Sequence, residues 1–264
     1  MQKTRLVFFH FFERNENYLK NLLHFLIFGV DENCDYAIAI SGICSVNLPI
    51  IENVTYYYVE NINGDFGGYY QVFKRVKNLF LYKYYFFVNC SVRGPFLPPS
   101  CDNKWWVIFE KNLSNDIGLV GTAINFLPTN NQQYKAYCGD YGGSSAVHIQ
   151  TTAYAMRYDV FSYLFDQEFY IQNEILDKEN LISRYEIHLT QKVIEGGWGV
   201  KCILQEFNAV FKSNNCEKSI NKTSRNGDMQ FRSAYFGRTM HPYEIIFVQT
   251  DRDLFTVEYL NRLA

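Results

Sequence analysis

The chain has 264 residues, enough to bury a substantial core as one large unit or two tightly joined ones. Its 27 acidic and 25 basic residues nearly cancel, which argues against the broad basic surface of a nucleic-acid-binding protein. Aromatic residues make up 18% of the chain, so some of the 21 tyrosines are expected on a surface that stacks on rings or sugars, beside those that pack the core.

Residues 4–12 read as a first strand. Its apolar run RLVFFHFF is cut off by Glu13, Arg14, Asn15 and Glu16 too early for a secretion signal. Residues 16–28 carry helical apolar spacing through Leu19, Leu22, Leu23, Leu26 and Ile27. The apolar stretch 22–30 contains His24 and is too short to span a bilayer. Strands are expected at 36–40 and 54–59, and a helix at 67–80 with Val72, Phe73, Val76 and Leu79 on one face. A buried strand follows at 82–89, then a helix at 104–113 and a short strand at 118–122. No GxGxxG follows the first strand, so no dinucleotide cofactor is indicated. Residues 126–145 read as loop, 147–154 as a strand, 158–165 and 183–195 as helices, and 199–204 as a strand. Residues 212–234 are polar and read as mobile, and a strand at 243–248 precedes a terminal helix. This alternation predicts an α/β fold, a single domain over 1–264 with a nucleotide-binding half (1–125) and a second half (126–264). The seven cysteines (34, 44, 90, 101, 138, 202, 216) are irregularly spaced without zinc or CxxC patterns, and predict reduced thiols in a cytoplasmic protein.

The segment richest in chemistry is YKYYFFVN (82–89) followed by CSVRGPFLP (90–98). Parallel α/β sheets bind ligands beyond the carboxyl ends of their strands, so Asn89, Ser91, Arg93 and Gly94 are placed to approach a phosphate or sugar. Residues 61–69, NINGDFGGY, form a small-residue turn opening a helix, where backbone amides meet an anion and Asp65 binds sugar hydroxyls or, alternatively, caps the helix. His148 and Gln150 alternate along the expected strand and face one cleft, unless the histidine is satisfied within the fold. In SRYEIHLTQKVIEGGW (183–198), Ser183 and Glu186 are spaced as the two arms of a capping box. In GRTMHPYEIIFVQTDR (237–252), His241-Pro242 ahead of a strand reads as a structural entry turn.

Together these segments resemble a family of nucleotide-sugar glycosyltransferases that includes the rhamnan-synthesis group, whose corresponding forms are close to FLNSSVRGPFLP, NRGxDFGAW, GYEIGLSQxILxAGW and GRTxHPYEVIFxKTNR. LVGTAIN (119–125) and VHIQTTAYA (147–155) resemble further family segments. The resemblance covers most of the chain. It implies a GT-A-like, Rossmann-type layer with a mixed central sheet flanked by helices. The implied reaction moves a sugar from a nucleoside-diphosphate donor, UDP-sugar favoured, to a glycan hydroxyl, with inversion. Asn61, Asp65, Gly67, Asn89, Ser91, Arg93, Arg238 and His241 would bind the donor. His148, Gln150 and His188 would bind the acceptor, and Glu186 would be the base. Ile62 and Asn63 depart from the family's Arg and Gly. GT-A enzymes hold manganese or magnesium with an Asp-x-Asp pair that here reads Asn89-Cys90-Ser91, a poor hard-cation site, so weak or no metal dependence is expected. The same substitution allows an alternative, a catalytically silent glycan- or nucleotide-sugar-binding module on a transferase scaffold.

Overall fold

The computed structural model describes residues 3–142, 146–207, 209–212 and 221–263. The chain opens with β1 (Arg5–Phe12), α1 (Glu16–Phe28), β2 (Asp35–Ser41) and β3 (Val54–Val59), close to the predicted bounds. Helix α2 (Gly64–Phe73), β4 (Tyr84–Asn89), β5 (Val92–Arg93) and α3 (Trp105–Glu110) follow, then β6 (Ile117–Gly121) and β7 (Ile124–Phe126). The remainder comprises α4 (Gln132–Tyr141), β8 (Val147–Ile149), β9 (Ala153–Arg157), α5 (Tyr158–Asp166) and α6 (Lys178–Leu181). A π-helical segment, Ile182–Ile187, joins α6 to α7 (His188–Glu195), followed by β10 (Gly199–Cys202), α8 (Pro242–Ile245), β11 (Val248–Gln249) and α9 (Val257–Leu263).

Seven strands form one sheet in the order β10-β6-β9-β4-β1-β2-β3. All neighbours are parallel except β9, which runs antiparallel to both β4 and β6. The predicted mixed α/β architecture is therefore present, and the 3-2-1-4 run is the arrangement of a Rossmann half. Central strands are apolar on both faces because both are covered. Val7, Phe9, Phe11, Ile38, Ile40, Phe86 and Val88 pack with Leu22 and Phe25 of α1 and with Trp105 and Phe109 of α3. On the other face Leu6, Phe8, Tyr85, Phe87 and Tyr154 meet Tyr69 and Phe73 of α2, Phe161 of α5 and Leu189 of α7. Much of the aromatic excess lies here: Tyr85 stacks on Phe161 at 4.0 Å and Phe87 on Tyr154 at 4.7 Å. Helix α1 starts where Asn15 accepts a bond from the Tyr18 amide. Asn15→Ala is expected to cost about 1 kcal/mol, read as a lower urea midpoint.

Several expectations need correction. The helix predicted at 67–80 starts at Gly64 and stops at Phe73; Asn78 turns left-handed (φ 59) into a short 3-10 turn, Leu79–Leu81. The loop predicted at 126–145 contains α4, capped by Asn131, which accepts from Gln133 and Tyr134, and closed by left-handed Gly142. The breaker residues Asn and Gly were its boundaries; Gly143 lies outside the described residues. The single strand predicted at 147–154 is two: β8 pairs with β7, and after a turn at Thr151-Thr152 β9 enters the main sheet. The first half of the strand predicted at 243–248 is α8, because Pro242 pre-sets the helical φ and Ile246 (φ 62) then ends the turn. Of the polar stretch 212–234, residues 213–220 with Cys216 lie outside the described residues, while 221–234 forms hydrogen-bonded turns around buried Asn221. The other six cysteines are unpaired. Among the described residues no helix is long and apolar enough to cross a membrane.

Candidate active site

The candidate site lies at the carboxyl ends of the central strands, where β1 is flanked by β2 on one side and β4 on the other, the position at which α/β sheets bind ligands. At the end of β4, Asn89 is held from two sides. Its Nδ2 donates to Asp65 Oδ2 at 3.0 Å, and its Oδ1 accepts from the Ser91 amide at 3.1 Å and from Ser91 Oγ. Asp65 sits in the first turn of α2, and its other oxygen accepts from the Phe66 amide at 3.2 Å. Asp65 does not cap the helix as expected: α2 already begins at Gly64 with Asn63 at the N-cap position, so Asp65 lies inside the first turn and its carboxylate reaches Asn89. Burial pushes its pKa upward, against the hydrogen bond from Asn89. Asn63, one of the departures from the family pattern, has a structural use: its side chain donates to Gln172 Oε1 and the Glu174 carbonyl and accepts from Leu176 N. It thereby ties the start of α2 to the loop leading into α6.

The capping-box reading of Ser183 and Glu186 does not hold, because the helix begins earlier. Asp177 caps it, accepting from Asn180 N at 2.8 Å, and Ser183 is already inside, its hydroxyl without a partner. Glu186 lies in the π-helical segment, whose i→i+5 bonding places an extra residue in the turn and is frequent at functional sites. Among the described residues its carboxylate accepts no side-chain hydrogen bond. Burial, followed by the negative charge of Asp65, raises its pKa to about 7, opposed by Arg252 and Lys178. Such a group is half ionised near neutrality, as a general base needs.

Glu186 and His148 line the same cavity, of 620 Å³, with Asn125, Arg225, Asp228 and Arg252. His148 is buried; its Nδ1 lies 2.9 Å from the Ala146 carbonyl and its Nε2 3.4 Å from Asn125 Nδ2. Donation from Nδ1 leaves Nε2 as the acceptor, and burial holds the ring neutral by lowering its pKa. Gln150 stands one layer behind the cavity wall. It donates to Asn125 Oδ1 at 2.7 Å and Asp228 Oδ1 at 2.8 Å and accepts from Gln230. Asp228 also pairs with Arg252. The polar wall of Asn125, Asp228, Arg225 and Arg252 was missed in the sequence. Its legible signal was the Asn226-Gly227 dipeptide, a hairpin-turn mark inside a stretch that polarity alone made look mobile.

Other expected site residues fall elsewhere. Asn61 is exposed on the loop before α2, and Gly67 lies in its first turn, where a Cβ would meet the Ile62 carbonyl oxygen at 1.8 Å. Arg93 is buried away from the cavity, donating to Asn21 Oδ1 and Asn261 Oδ1, each at 3.0 Å, so it ties β5 to α1 and α9. Arg238 makes a two-pronged pair with Glu244, and His241 caps α8 in a capping box with that same glutamate. The structural-turn alternative thus describes the His241-Pro242 corner. His188 projects into a different groove, lined by Tyr141, Phe169, Arg184 and Lys192, with its ring stacked on Tyr141 at 4.1 Å.

Manganese or magnesium fits the strand end poorly. Asn89 Oδ1 already accepts two bonds, Cys90 is buried with its thiol pushed up to about 12, and Asp65 is the one carboxylate of the cluster. Hard cations select sets of carboxylate oxygens, and among the described residues no three His, Cys, Asp or Glu side chains are grouped to hold an ion.

No protein-family model and no curated protein matches the chain. Solved structures resemble it at low identity. The galactosyltransferase LgtC, in complex with donor and acceptor sugar analogues, is 13% identical, with 98% of this chain and 94% of that one covered and a TM-score of 0.45. A Drosophila galactosyltransferase complexed with manganese, UDP-Gal and xylobiose is 12% identical over 83% of this chain and 77% of that one, at a TM-score of 0.38. A glycosyltransferase that acts in glycosylation of the major capsid of PBCV-1 is 13% identical over 69% and 75%, at a TM-score of 0.34. All three are sugar transferases.

Proposed function

We propose that the chain is a cytoplasmic glycosyltransferase that moves a sugar from a nucleoside-diphosphate donor, UDP-sugar favoured, to a hydroxyl of a glycan acceptor, with inversion, in surface-glycan synthesis. The observation that carries the reading is Glu186, a carboxylate without a hydrogen-bonded partner among the described residues, raised to about 7 and facing a polar cavity lined by Asn125, His148, Arg225, Asp228 and Arg252. The resemblance of its segments to rhamnan-synthesis-type transferases supports the same assignment. In the reaction Glu186 takes the proton of the acceptor hydroxyl as its oxygen bonds to the anomeric carbon. The bond from that carbon to the diphosphate breaks, and the electron pair leaves with the diphosphate. Residues 1–125 contribute Asp65, Asn89 and Ser91 to the donor side. Residues 126–264 contribute the base and, on the acceptor side, His148, whose neutral ring lines the same cavity with its Nε2 turned to Asn125.

A thermal-shift screen against UDP-, GDP-, dTDP- and CMP-sugars, with and without manganese, tests this. A ligand that binds only the folded state raises the melting temperature. The expected result is a shift with one nucleotide class, and with UDP-sugars first. No shift with any of them would remove the transferase reading. The replacement of a metal-binding carboxylate pair by Asn89-Cys90-Ser91 favours a second reading, a silent binding module. A donor that shifts the melt yet yields no transferred or hydrolysed sugar would support it.

A further inference from the structure

The strand-end cluster lacks a fitting cation site, yet a departing diphosphate needs positive charge. The cavity supplies it from residues that the family resemblance does not assign. Asn226 (φ 54) and Gly227 (φ 87) are both left-handed, and Arg225 and Asp228 exchange backbone hydrogen bonds across them at 2.8 and 3.0 Å. This is a two-residue type I′ turn. It is seated on β7: Phe126 N donates to the Gly227 carbonyl at 3.2 Å, and a Cβ on Gly227 would stand 2.1 Å from the Phe126 carbonyl oxygen. The turn thus fixes Arg225 at the cavity wall.

Arg225 has no carboxylate partner among the described residues. Its guanidinium carbon lies 4.6 Å from the centre of the Phe231 ring, and that of Arg252 lies at the same 4.6 Å from the same ring. Arg252 is half-buried and paired with Asp228, so one of the two cations is locally neutralised and the other is free. Both line the cavity into which Glu186 faces. Stacking on a ring leaves the in-plane N–H groups of a guanidinium available, and those are the groups that take phosphate oxygens two at a time.

We propose that Arg225 and Arg252, held by Phe231, form a clamp for the diphosphate of the donor and supply the leaving-group charge stabilisation that the strand end does not. This rests on the transferase reading for the identity of the donor, but the clamp itself is a pyrophosphate site. It places the phosphates against the 225–231 hairpin and Arg252, in place of the Arg93, Arg238 and His241 expected from the sequence.

Calorimetric titration of the full chain with inorganic pyrophosphate and with UDP, both in the presence of EDTA, tests the clamp. Wild-type protein is expected to bind both. Arg225→Ala, an exposed position without an ion pair to lose, is expected to weaken each by about tenfold, the worth of one charge-assisted contact. Arg252→Lys keeps the charge beside Asp228 and is expected to weaken both as well, through loss of the two-pronged geometry. UDP and pyrophosphate binding that is equal in wild type and Arg225→Ala would overturn the clamp, as would a wild-type chain that binds neither. Pyrophosphate binding that is lost in Arg225→Ala while no sugar donor is turned over would uphold the clamp and count against the transferase reading alone.

Discussion

Glu186→Gln is expected to lower turnover by about 10²–10⁴-fold, the range of a positioned general base, while nucleotide binding is unchanged. The amide keeps the size of the side chain and removes its ability to take a proton. Wild-type kcat is expected to fall as pH drops through about 7, because protonation of the carboxylate removes the base. The residual rate of the variant should lack that limb. Stability carries the opposite sign. The pKa of Glu186 is raised in the folded state from its ordinary 4.5, so the folded protein holds this proton more tightly than the unfolded chain does. Ionisation therefore costs stability progressively as pH rises from 4.5 through about 7, and below 4.5 that cost is absent. Glu186→Gln should melt several degrees higher than wild type at alkaline pH and at the same temperature in acid. Melting curves that differ by a constant amount across this range, or a kcat profile with the same acid limb in both proteins, would remove Glu186 from the role of base.

Gly67→Ala is expected to cost about 3 kcal/mol, the upper part of the range for forcing atoms into filled space. The added Cβ would lie 1.8 Å from the Ile62 carbonyl oxygen and 3.1 Å from Asn63 Cβ, so the backbone at 62–63 must open. That movement would reach the site. Asn63 holds the loop through Gln172, Glu174 and Leu176, and Asp65 holds Asn89. Activity per folded molecule should therefore fall together with the urea midpoint. Gly139→Ala is the matched control: it lies inside α4 with open space where its Cβ would be, and should gain up to about 1 kcal/mol. An unchanged midpoint and rate in Gly67→Ala would show that the turn can yield without moving Asp65.

The amino-acid pattern by itself determined the first Rossmann half. Strands buried on both faces leave continuous apolar runs such as RLVFFHFF and YYFFVN, and an amphipathic helix leaves the spacing seen in 16–28. It also singled out Asp65, Asn89 and His148, because polar residues in a small-residue turn, at a strand end or along a buried strand stand out, whereas Glu186 as a base came from the family resemblance of its segment. Tertiary structure decided what those residues face. The helix of Glu186 starts at Lys178, where Asp177 caps it, and its π-helical turn sends Glu186 into one cavity and His188 into another groove. Local sequence does not encode that rotation, since the same residues at ordinary helical spacing also fit a capping box at Ser183. Arg225, Asp228 and Arg252 meet only because an Asn-Gly turn docks on β7 and the chain returns past it after α8. Charged side chains in polar segments carry no burial signal of their own, and their partners are supplied by chain distant in sequence.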